Sequence, residues 1–199
     1  MSDVKKGKII ILNGTPSSGK TTLSKILQAR HPDQYFLIPI DILNDISPPK
    51  DSLSYNVRFT ADPIPVISAV LGCVRAFSDN GLNVIVDAVF NDLHYPFCTF
   101  LNVFPDSDYP VSLVHVTCPL VELYRREKER GDRKIGLAES MLPHLDPQDT
   151  YDITVDTYNE PIEVCADRII DATKEMNTHT SFRTLLMKRL NKYNPTLVL

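Results

Sequence analysis

An α/β domain with a mainly parallel five-stranded sheet is predicted by three observations. Short apolar runs recur along the chain, each closing on a polar or acidic residue. Stretches with apolar residues at helical spacing separate these runs, the alternation expected of parallel strands joined by crossover helices. The first run leads into Gly14-Thr15-Pro16-Ser17-Ser18-Gly19-Lys20-Thr21, which fits the phosphate-loop pattern G-x-x-x-x-G-K-[ST] at every defined position.

Residues 9–12 (IIIL) read as a strand buried on both faces. After the glycine loop, Leu23, Ile26 and Leu27 recur at helical spacing, with Lys25 and Arg30 on other faces, until His31-Pro32-Asp33 breaks the pattern. Residues 35–40 (YFLIPI) read as a second strand, with Asp41 just past it. A short helix over 42–46 ends at Ser47-Pro48-Pro49, and 50–61 reads as a loop. Val66, Ile67, Val70, Cys73, Val74 and Phe77 form a helical stripe stopped by Asp79-Asn80-Gly81. Residues 82–86 form a third strand closed by Asp87. A helix over 94–104 and a fourth strand over 111–116 follow. Pro119 opens a charged helix that Gly131 ends. Residues 131–150, polar and carrying Gly136, Pro143 and Pro147, read as a mobile segment. A short fifth strand covers 153–155 and a helix covers 162–170. Ligands of such sheets bind beyond the carboxyl ends of the strands, so Asn13, Asp41, Asp87 and Thr117 are expected to converge on one crevice.

The length of 199 residues suits one domain with a real core, and a net charge of −4 argues against a nucleic-acid partner. Cys73, Cys98, Cys118 and Cys165 form no C-x-x-C pair and read as core thiols in a reducing compartment. No apolar run suits a signal segment or a membrane span, so the protein is read as cytoplasmic, with no membrane partner. Beyond residue 176, Phe182, Leu185, Leu186, Met187 and Leu190 alternate with Arg183, Lys188, Arg189 and Lys192. This basic amphipathic extension (176–199) either docks on its own domain (1–175) or touches a membrane or partner. A homo-oligomer is compatible with this composition.

Phosphoryl transfer requires positioning and charge neutralisation. The loop amides of Ser17 to Thr21, the start of the following helix and the Lys20 charge suit nucleotide phosphates, and the Thr21 hydroxyl suits magnesium. Thr22 follows in the same first turn. Asp41 stands where it would orient an acceptor hydroxyl, or equally where it would N-cap 42–46. Asp87, at the end of an apolar strand, suits the magnesium shell; the other reading is a strand-end turn residue. Arg126 and Arg130 share a helix face and Arg133 lies just beyond. They either close over the nucleotide phosphates as part of a lid or pair with Glu122, Glu127 and Glu129 on a solvated helix. His94, His115 and His144 have no ligand-like spacing.

With these residues in place the chain resembles the chloramphenicol phosphotransferase-like family of P-loop kinases. The resemblance runs over residues 8–170. It is carried by IILNGTPSSGKTTL, the strand-end Asp41, NVIVDAVF, RGDRKIGLA (130–138), YDITVDT (151–157) and PIEVCADRI. It implies a P-loop, kinase-like three-layer α/β/α fold with a mobile lid at about 131–150, and an ATP- and Mg2+-dependent transfer to a hydroxyl of a small molecule. It further implies Asp41 as catalytic base, Arg130 and Arg133 as phosphate-contacting lid residues beside Lys20, and Asp87 within the active site. The loop GTPSSGKT is less glycine-rich than the type member's, and 47–64 and 88–97, which should face the acceptor, depart from it. Tyr55, Phe59, Phe90 and Tyr95 line an apolar acceptor pocket or belong to the core. The alternatives are a nucleotide or sugar-nucleotide kinase of the same fold, and an ATP-binding regulatory module without an acceptor.

Overall fold

The computed structural model describes residues 5–46, 48, 64–91, 97–104, 106–132, 134–145 and 150–193. Five strands, β1 (Ile9–Asn13), β2 (Tyr35–Pro39), β3 (Asn83–Asp87), β4 (Val111–Thr117) and β5 (Ile153–Asp156), form one sheet in the order β2-β3-β1-β4-β5. Every pairing is parallel. All five residues of β1 are buried, and alternate side chains enter opposite cores, which explains the unbroken apolar run. Ile10 and Leu12 face Leu23 and Leu27 of α1 (Lys20–Arg30), and later Cys165, Ala166 and Ile169 of a helix at Ile162–Ala172. Ile9 and Ile11 face the other layer. The result is the three-layer α/β/α arrangement.

The second layer begins with α2 (Ile42–Ile46) and α3 (Ile64–Asp79), whose Ile67, Val70, Leu71 and Val74 are buried. Cys73 is exposed, as is Cys98, and Cys118 is partly exposed; only Cys165 is a core thiol. The reason is spacing: positions 67, 70, 71 and 74 make one face, and Leu71 holds the place expected of Cys73. The third strand starts one residue later than expected, leaving Leu82 exposed beside the turn. Next come α4 (Phe97–Leu101) and α5 (Leu120–Arg130). The described part of 131–150, the segment expected to be mobile, holds regular structure. It carries α6 (Leu137–Met141) and a 3-10 turn at Leu142–His144. Then come α7 (Ile162–Ala172), a 3-10 stretch at Thr173–Thr178 and α8 (Ser181–Tyr193).

Helix α8 packs on the sheet. Phe182 and Leu186 are buried in the same core as Ile9 and Leu113. Phe182 meets Phe100 and Phe104 edge-on at centroid distances of 5.9 and 5.2 Å. Asp152 fixes the entry to this helix: one carboxylate oxygen accepts the amides of Thr180 and Ser181, each at 3.1 Å, and the other accepts Leu113 N at 2.9 Å. Phe182→Ala should therefore lower unfolding free energy by about 3–5 kcal/mol. Denaturant titration reads this directly, and a loss under about 1 kcal/mol would mean that α8 contributes no core. Among the described residues no helix is long and apolar enough to cross a membrane.

Candidate active site

The order β2-β3-β1-β4-β5 places β1 between strands added in opposite directions, and the crevice opens past its carboxyl end. There the chain turns at Gly14, where a Cβ would lie 2.2 Å from the Val116 carbonyl oxygen, so only glycine fits. Gly19 has φ +93 and its α-carbon faces Thr157 and Arg126. Between them Ser17 adopts φ 64, a costly conformation for a residue with a side chain, and its hydroxyl is buried without a hydrogen-bond partner. Lys20 is 5% exposed. Its ammonium donates to the carbonyls of Gly14 at 3.0 Å and Thr15 at 2.7 Å. The loop thus wraps a cation, and α1 starts directly after it with the positive end of its dipole at the loop.

Parallel pairing of β1 with β3 sets Asp87 level with Leu12, two residues before the turn at Gly14. The Thr21 hydroxyl donates to Asp87 Oδ2 at 2.7 Å. Two oxygen donors side by side, one of them a carboxylate, are of the chemistry that would suit a hard divalent ion. Ile40 N donates to Asp87 O at 2.9 Å, which ties the end of β2 to the end of β3 and brings Asp41 to the same side. Asp41 is exposed and immediately precedes α2.

One cavity of about 1000 Å³ joins these parts. Pro16, Ser17, Gly19, Lys20, Thr21 and Thr22 line it, with Asp41, Asp87, Arg126 and Arg130. Gly14, Thr15 and Ser18 shape the loop from behind. Arg126 holds Glu122 Oε1 at 2.8 Å, Ser17 O at 3.3 Å and the Thr157 hydroxyl and carbonyl at 3.1 and 3.0 Å. Arg125, then Arg126, hold the Glu122 carboxyl down at about 2. Of the ion pairs expected for Arg126 and Arg130, only Arg126–Glu122 forms among the described residues, and Glu129 pairs with Arg125. Glu127 does something else: its carboxylate accepts backbone amides of Gly136 and Ala138. Arg130 reaches the rim and donates to Asp132 at 3.0 Å. Arg133, Tyr55, Phe59, Tyr95 and His94 lie outside the described residues.

Two expectations for the crevice change. Asn13 and Thr117 do not line it and instead tie neighbouring segments together. Asn13 accepts Phe90 N at 2.8 Å and donates to Phe90 O at 3.2 Å and to the Tyr151 hydroxyl at 2.7 Å. Thr117 bonds to Val155 O at 3.0 Å. Phe90 is a core aromatic packed against Phe100, not a pocket wall. Ile40, Val89, Asn91, Leu137 and Met141 line the cavity instead. His115 stacks on Tyr151 at 4.6 Å; burial and the Lys20 charge pull its pKa below the usual imidazole value, so the ring is neutral at pH 7.

Thr157 escaped the sequence reading. Its hydroxyl accepts from Arg126 and donates to Ser18 O at 2.6 Å, joining β5 to the phosphate loop. Its only sequence signal was its place at the end of YDITVDT. The adjoining turn, Tyr158 to Ile162, also lines the cavity. Asp156 braces that turn. Burial works against its ionisation, but the amides of Tyr158 and Asn159 and the Asn159 side chain more than compensate and keep its pKa below the usual value.

Solved structures share this fold. The structure resembles a Mycobacterium tuberculosis APS kinase, CysC, solved in complex with AMPPNP and APS, with a TM-score of 0.63 at 18% identity over 85% of this chain and 99% of that one. It also resembles a gluconokinase from Sinorhizobium meliloti 1021, with a TM-score of 0.53 at 18% identity over 96% and 98% of the two chains. In sequence it is 31% identical over 189 residues to "Putative O-phosphotransferase Rv2636" of Mycobacterium tuberculosis H37Rv, covering 83% of this chain and 82% of that protein. The family model described as chloramphenicol phosphotransferase-like protein matches residues 7–174. The chain therefore belongs to the chloramphenicol phosphotransferase-like family and is a P-loop phosphotransferase of the kinase type.

Proposed function

We propose that the protein moves the γ-phosphoryl group of Mg-ATP to a hydroxyl of a small molecule in the cytoplasm. The observation that carries this reading is the single cavity in which the Lys20 loop, the Thr21–Asp87 pair, Asp41 and Arg130 all meet. The loop and Lys20 hold the β- and γ-phosphates, and Arg126 stiffens the loop from the side through Ser17 O. Thr21 and Asp87 would hold magnesium, which would supply positive charge to offset that of the phosphates. Asp41 accepts a hydrogen bond from the acceptor hydroxyl and aims its oxygen at the γ-phosphorus. As that oxygen bonds to phosphorus, the bond to the β–γ bridging oxygen breaks, ADP departs and the hydroxyl proton passes to Asp41. Arg130, with Arg133 of the same RGDR segment, neutralises charge on the transferring group.

Leu137, Met141, Val89 and Ile40 give the acceptor side an apolar wall, with Asn91 and Asp41 as its polar points. An alcohol with an apolar body suits this better than a nucleotide acceptor. The test is mass spectrometry of chloramphenicol and a panel of hydroxylated metabolites after incubation with protein, ATP and magnesium. A single added phosphoryl group on a panel member is expected. On chloramphenicol, it would make the protein an antibiotic-inactivating kinase. Nucleotide binding with no acceptor modified would favour the regulatory alternative.

A further inference from the structure

Glu127 is 1% exposed, yet it lies on α5 among charged residues and is not among the residues that line the cavity. Its two oxygens each accept a backbone amide at 2.7 Å, Oε2 from Gly136 and Oε1 from Ala138. These amides belong to the start of α6, nine and eleven residues further on. The carboxylate therefore closes a loop that leaves α5 at Arg130, turns at Gly131 with φ 64 and re-enters helix at Gly136 with φ 89. The neighbouring side chain, Arg126, grips Ser17 O and Thr157. Adjacent positions on one helix thus hold two different things, residue 126 the phosphate loop and residue 127 the lid helix. Arg130 on one side of the closed loop and Leu137 and Met141 on the other all line the cavity.

We propose that Glu127 is a positioning residue of the reaction: its buried carboxylate pins α6 to α5 and so sets Arg130 and the apolar acceptor wall at a fixed height over the phosphate loop. The proposal rests on the phosphotransferase reading for its effect on rate. A backbone clamp of this kind acts on the lid and not on the nucleotide cradle, because Gly14 to Thr21 and Lys20 take no support from it. Its loss should therefore separate turnover from nucleotide affinity. Misplacing a reacting or charge-stabilising group by an ångström costs up to about 100-fold in rate.

Glu127→Gln is the test, since it keeps the volume but sets an NH2 group against one of the two N–H donors. Transfer should fall by about 10- to 100-fold, while the affinity for a fluorescent ATP analogue stays within about threefold. In a cycle with Arg130→Ala the two losses should not multiply; the double variant should be close to the worse single one. Losses that multiply would overturn the positioning role, as would a nucleotide affinity that falls in step with turnover. Hydrogen exchange needs no acceptor: the amides of Gly136 and Ala138 should exchange faster in Glu127→Gln, and unchanged exchange overturns the clamp whatever the activity. Should that variant fail to fold, Glu127→Asp, too short to reach both amides, should give the same separation in weaker form, and wild-type kinetics there would overturn the proposal. A wild-type protein that phosphorylates no acceptor would sink the phosphotransferase reading, and the exchange result would still decide the clamp.

Discussion

Lys20→Ala should abolish turnover, with a loss of at least about 10²–10³-fold. The side chain is almost wholly buried, and an ammonium in such a place needs hydrogen bonds to be tolerated. It has them from the carbonyls of Gly14 and Thr15, so it both shapes the loop and supplies its charge. Alanine removes the charge proposed to meet the phosphates and leaves two carbonyls without their donor. The expected signature is a fall in kcat together with weaker nucleotide binding, because the same group acts in the ground state and in transfer. Lys20→Arg separates the two contributions. It keeps the charge, but its planar fork does not fit a site cut for a point charge, so activity should remain low. Steady-state kinetics with a nucleotide titration reads both. Lys20→Ala turnover within threefold of wild type would mean that the loop does not hold the transferred phosphate.

Much of this site was legible in the sequence because its parts are local. The strand, glycine loop and helix start are contiguous, and the physics that shapes each is written in neighbouring residues. Asp41 and Asp87 could be placed because each closes an apolar run, and parallel pairing brings strand ends together. What stayed hidden depends on contacts between distant segments. Thr157 meets Arg126 and Ser18 only once β5 lies beside β4, and a lone threonine carries no signal of that. The helix at Leu137–Met141 lies in a segment that reads as mobile, and the sequence carries no sign of it because its start is capped by a glutamate on the preceding helix, not by a Ser, Thr or Asp beside it. Asp152 read as part of a family motif, and its work is to seat α8, which begins 29 residues later. The exposure of Cys73 follows from which of two apolar neighbours, Leu71 or Cys73, lies nearer the centre of the stripe, a matter of one residue that periodicity leaves open.

The second large effect is expected at Asp41, and the choice of replacement decides what it teaches. The residue stands both on the cavity and directly before α2, so a loss of function on truncation has two explanations. Asparagine resolves them. It caps a helix about as well as aspartate, so Asp41→Asn should leave the fold and α2 in place. What it removes is the negative charge and the ability to take a proton. Positioned acid–base groups contribute about 10²–10⁴-fold, and transfer should fall by that factor with nucleotide affinity nearly unchanged. Slow ATP hydrolysis should persist, because the phosphate loop, Thr21 and Asp87 are untouched. Asp41→Ala should show the same loss of transfer and a further loss of about 1 kcal/mol in stability from the missing cap. Single-turnover transfer, nucleotide titration and denaturant melts on the two variants separate chemistry from capping. If Asp41→Asn transfers at the wild-type rate, Asp41 serves the helix alone and the acceptor hydroxyl is oriented by another group on the same wall. If both variants lose transfer and only alanine loses stability, the carboxylate belongs to the reaction.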